Sequence, residues 1–115
     1  MESPANGYIG DATREAEMQF LVIAYDGTDD LALARRLAVR EKHLEGWYKL
    51  VADGHGITGG AILDEEGKMI GSSALLEFPD RAAFDNWLKN DPYVTGDVWR
   101  DITVHPFRVA PTTKS

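Results

Sequence analysis

The chain has 115 residues, 43% of them hydrophobic, no cysteine and a net charge of -7. That length and apolar content suit one domain that buries its own core, while the lack of cysteine excludes disulfides, thiolate metal sites, iron–sulfur clusters and thiol nucleophiles. The acidic balance, 19 carboxylates against 12 basic residues, repels phosphate backbones and anionic lipid, so neither nucleic acid nor a membrane surface is expected as a partner.

Residues 1–18 are polar, broken by Pro4, Gly7 and Gly10, and read as a flexible N-terminal extension without the basic start and apolar stretch of a signal peptide. No apolar run approaches the roughly 20 residues of a membrane helix, and a cytoplasmic location is expected. Residues 19–110 carry the folded domain, and 111–115 are a short tail. The run Gln19 to Tyr25 predicts a strand, ended by Asp26-Gly27. Both of its faces are apolar: Phe20, Val22 and Ala24 on one side, Leu21, Ile23 and Tyr25 on the other. Such a strand needs cover on both sides.

Asp29 or Asp30 is placed to cap a helix starting near Leu31, with Leu33, Leu37, Leu44, Trp47 and Val51 on one stripe and Gly54 as the stop. A second strand is expected over Gly56 to Leu63 and a polar hairpin over Asp64 to Lys68. A third strand then runs from Met69 to Phe78. Pro79 and Asp80 announce a second helix, buried through Ala83, Phe84, Trp87 and Leu88 and ended by Asp91-Pro92. The last strand spans about Trp99 to Val109, with Pro106 pointing to an edge or a bulge. Strand, helix, strand, strand, helix, strand is the ferredoxin-like α+β order: a four-stranded antiparallel sheet with two helices on one face. The bare face, lined by half of the first strand, predicts a homodimer joined through sheet faces.

Arg40 falls almost within the helix stripe and His43 at its border, three residues on, so the two share a surface. A guanidinium there needs a carboxylate, backbone acceptors or an anionic ligand. His43 on one element and Asp91 on another can form a base with its orienting partner if the fold brings them together. The plainer alternatives are a histidine packed on Trp47 and an aspartate that bonds only its local backbone.

The order and spacing of several pieces resemble the YCII family of small dimeric α+β barrel proteins. They are the apolar first strand, Arg40-x-x-His43, Gly54, the Gly59-Gly60 turn, Gly71-Ser72, Glu77-Phe78, Asn90-Asp91-Pro92-Tyr93 and Val104-His105-Pro106-Phe107. The resemblance runs from Gln19 to about Arg108 and implies a ferredoxin-like subunit, a dimer and an active site on His43 and Asp91. It also implies Arg40, Ser72 and Tyr93 as substrate-binding residues. Many relatives have proline where Gly60 stands, so the wall formed there is expected to differ.

The stretch Gly54 to Gly59 matches a dinucleotide-binding pattern by letter, but it leads from helix to strand and is read as a turn. His43, His55 and His105 lie on different elements, Asp26, Asp29 and Asp30 lack calcium-loop spacing, and Ser72-Ser73 has no nucleophile-elbow context, so neither metal nor cofactor is called for. Trp47, Trp87 and Trp99 read as core or interface aromatics. The expected function is acid/base chemistry on a small molecule, by a lyase or isomerase: proton abstraction, elimination or isomerisation. The alternatives are a dimeric module that binds a metabolite without converting it, and a structural dimer whose polar groups satisfy one another.

Overall fold

A computed structural model describes residues 17–111. Four strands, β1 (Met18–Asp26), β2 (Gly56–Leu63), β3 (Met69–Phe78) and β4 (Trp99–Phe107), form one sheet in the order β2-β3-β1-β4. Every neighbouring pair is antiparallel. A long helix α1 (Ala32–Ala52), a shorter α2 (Arg81–Asn90) and a single turn α3 (Pro92–Thr95) complete the described residues. This is the ferredoxin-like α+β arrangement.

β1 alternates as the pleat requires. Phe20, Val22 and Ala24 are buried under the helices with Leu76, Phe78, Phe84, Tyr93, Val98 and Trp99. Leu21 and Ile23 on the opposite face are only half-buried, and Tyr25 is exposed. Leu75 pairs with Leu21 on that open face, and Phe107 pairs with Gln19 at its end. Gly71 is required by contact, because a Cβ there would collide with the backbone carbonyl of Ala24 on the adjacent strand.

The α1 inner stripe differs from the one expected. Leu37 and Val51 are 54% and 46% exposed, whereas Ala32 and Arg36 are buried and Val39, Trp47 and Leu50 pack against the core. The buried stripe therefore runs through 32, 36, 39, 43, 47 and 50, one residue's rotation of about 100° from the most apolar stripe. Polar side chains are admitted to it because the sheet and α3 supply partners for them. At its start α1 has no side-chain cap. The Asp29 carboxylate instead takes two hydrogen bonds from the Arg35 guanidinium, at 2.7 and 2.9 Å, which hold it well below the usual carboxylate range. Gly54 ends the helix with a left-handed φ of 87°, the conformation that favours glycine. Gly59 and Gly60 lie within β2 and not in a turn.

α2 ends where expected, but α3 was not anticipated. Asp91 closes α2 and its side chain accepts from the Tyr93 backbone N–H at 2.9 Å, capping α3 with Pro92 at the first helical position. The extra turn drives Tyr93 into the core.

Candidate active site

His43 projects from the inner stripe of α1 towards the α2–α3 junction. Its Nδ1 lies 2.9 Å from Asp91 Oδ2 and 3.2 Å from Oδ1. A carboxylate only accepts, so the proton of the neutral imidazole belongs on Nδ1 and Nε2 keeps its lone pair. Asp91 is 4% exposed, and its bond from Tyr93 N–H fixes its rotamer. The His43 ring stacks on the Tyr93 ring at 3.8 Å between centroids, with the Trp99 edge at 5.8 Å. Helix, cap and aromatic contacts thus hold the imidazole in one orientation.

Beside it lies a second polar group that counting apolar residues did not reveal. Arg36, 3% exposed, donates from Nη1 to both Asp26 oxygens at 3.1 Å and from Nη2 to Ser72 Oγ at 2.9 Å. Its Cζ sits 4.7 Å from the Tyr93 ring centroid, a cation–π contact. Ser72 also accepts from Trp99 Nε1 at 3.1 Å. The buried arginine of α1 is therefore Arg36, whereas Arg40 is exposed. Seven residues before His43, two turns along the helix, was the signal that put Arg36 on the same face.

Arg36, Arg40, His43, Ser72, Tyr93 and Trp99 all line one cavity of about 270 Å³. Trp47, Trp87, Met69 and the Gly59-Gly60-Ala61 segment of β2 supply its apolar walls. Asp91 lies behind His43 and does not line it. Burial raises the Tyr93 phenol above its ordinary range, against the opposing pull of Arg36 and Arg40, so it is protonated at neutral pH. Among the described residues, no group of three His, Asp or Glu side chains is placed to hold a metal ion. No helix there is long and apolar enough to cross a membrane.

Comparison with known proteins agrees with this architecture. An uncharacterized protein of Haemophilus influenzae is 36% identical over 97 residues, covering 79% of this chain and 97% of that one. The YciI protein of Escherichia coli is 30% identical over the same length and coverage. Among solved structures, a 5-chloro-2-hydroxyhydroquinone dehydrochlorinase from Burkholderia phenoliruptrix, in complex with 2,5-dihydroxybenzoquinone, superposes with a TM-score of 0.71 at 21% identity, covering 81% of this chain and 96% of its own. A dimeric ferredoxin-like protein from an uncultured marine organism gives 0.51 at 16% identity, covering 84% and 98%. The model of the YCII-related domain matches residues 18–108, and the chain belongs to that family.

Proposed function

We propose that this protein is a small-molecule enzyme in which His43, oriented by Asp91, moves a proton to and from a substrate held in the cavity. The observation that carries this is the 2.9 Å contact between Nδ1 and a buried carboxylate, made by a ring that lines an enterable cavity. Such a pair leaves Nε2 as the general base and, once charged, as the general acid. Proton abstraction, elimination and isomerisation all need this one group. Elimination is the first reaction to try, since a dehydrochlorinase shares the fold. Arg40 at the rim and Ser72 and Tyr93 on the walls are the substrate-binding residues in this reading.

The working unit is a homodimer joined through the open sheet face. Leu21, Ile23, Leu75 and Phe107 leave that face apolar in a single subunit, and a protein of the same fold is described as dimeric.

Chloride release from chlorinated hydroquinones tests the chemistry. The wild-type protein is expected to turn one of them over, and His43→Ala to lower the rate by about 10²–10⁴ with the fold intact. Undiminished turnover by His43→Ala would remove the imidazole from the mechanism.

A further inference from the structure

We infer that the Ser72 hydroxyl is the donor that positions the substrate, and that the substrate is a planar compound presenting a carbonyl or anionic oxygen to it. This rests on His43 as the base and names the substrate class for that site. A serine hydroxyl has two acceptor positions and one proton. Both acceptor positions are occupied, by Arg36 Nη2 at 2.9 Å and Trp99 Nε1 at 3.1 Å. Neither partner can reverse its role, because guanidinium and indole N–H groups only donate. Arg36 is held in turn by its two bonds to Asp26.

The Ser72 proton must therefore point elsewhere, and no side chain or carbonyl among the described residues accepts it. Ser72 is only 7% exposed, yet it lines the cavity. A donor aimed into an enterable cavity with no protein acceptor is free to bond an oxygen brought in by a ligand. The bond from a cation into the Ser72 lone pair also polarises O–H and strengthens it as a donor. This network makes Ser72 an oxyanion donor and not a nucleophile, since its lone pairs are spent.

The remaining walls define the rest of the ligand. Trp47, Trp87, Trp99 and Tyr93 enclose about 270 Å³, somewhat less than the roughly 300–1,000 Å³ of sites for larger ligands, which suits one substituted ring. Arg40 at the rim makes no ion pair among the described residues and favours negative charge. In the reaction, His43 Nε2 takes a proton from a tetrahedral ring carbon next to a carbonyl, the C–H electron pair becomes a ring C=C bond, and the carbonyl π pair moves onto its oxygen. The resulting enolate oxygen accepts from Ser72; the enolate then takes the proton back from His43 at another carbon, or re-forms its carbonyl as an anion leaves the neighbouring carbon and His43 gives its proton to that anion or to water.

Binding of 4-nitrophenolate and of nitrobenzene, which keeps the nitro group but lacks the phenolate oxygen, separates this role from mere packing. Wild type is expected to prefer the phenolate by about tenfold or more. Arg40→Gln controls for the rim charge and retains a preference. Ser72→Ala abolishes the part that Arg40→Gln leaves. If Ser72→Ala fails to fold, Ser72→Cys keeps the volume with a weaker donor and lowers the same ratio. Equal affinity of wild type for the two compounds, no binding of either, or an undiminished ratio in the folded Ser72 variant would overturn the inference. Active His43→Ala with the Ser72-dependent ratio intact would remove the base and leave this donor standing. Inactive His43→Ala with a Ser72-independent ratio would do the reverse.

Discussion

The imidazole of His43 rests face to face on the phenol ring of Tyr93, 3.8 Å away, while the aspartate two residues earlier holds its Nδ1. One four-residue motif, Asn90-Asp91-Pro92-Tyr93, thus supplies both the acid that orients the histidine and the surface it lies on. Asp91→Asn keeps an acceptor for the Tyr93 N–H and so should preserve the cap. It removes the carboxylate charge that stabilises imidazolium. We expect the fold to survive and turnover to drop by about 10² or more. Steady-state rates and circular dichroism on the same preparation check both halves.

The Asp26–Arg36 pair is a stability element as well as a brace. Asp26→Ala strands a guanidinium that cannot lose its proton, and should cost about 3–5 kcal/mol. Adding Arg36→Met should recover most of the loss, because an apolar chain of similar length needs no partner. Urea unfolding of the two variants reads the difference directly.

Tyr93 makes stability sensitive to alkali. Burial raises its folded pKa above the unfolded value, so the folded state holds the proton more tightly. That contribution is fully present below the unfolded phenol pKa of about 10 and is lost as pH rises through the folded value. Tyr93→Phe should therefore flatten the alkaline limb of a plot of unfolding free energy against pH. Phenolate absorbance of wild type should also show a late-ionising component that Tyr93→Phe lacks.

Leu75 stands opposite Leu21 near the middle of the open sheet face. Sedimentation at micromolar concentration should give a dimer for wild type and a monomer for Leu75→Asp, with the secondary structure of the subunit unchanged. A wild-type monomer would count against the sheet-face association.

Much of this fold was written in local punctuation. Asp26-Gly27, Gly54, Asp64 to Lys68 and Asp91-Pro92 mark element ends to within a residue or two, because glycine, proline and aspartate restrict or release the backbone on their own. The inner face of α1 was not legible in this way. Counting apolar residues favours Leu37 and Val51 over Arg36, and a buried arginine becomes reasonable only with Asp26 and Ser72, 10 and 36 residues away. α3 was hidden because Asp91 ends one helix and caps the next. The contact between His43 and Asp91 was expected from family resemblance and from chemistry. A pocket beside it, lined by Arg40, Ser72 and Tyr93, is expected on the same grounds, whereas Trp47 and Trp87 read as core or interface aromatics and are partly its walls.

The central place of β1 has a consequence for synthesis. It is hydrogen-bonded to β3 on one side and to β4 on the other, and Gln19 Oε1 accepts from the Val109 N–H at 2.7 Å. Of the four described strands, the first to leave the ribosome must therefore wait for the last before its second edge is closed. Until then that edge is an open template for other chains, and Trp99, which braces Ser72, has yet to arrive. Nascent protein stalled before β4 would be without the finished pocket and prone to aggregate.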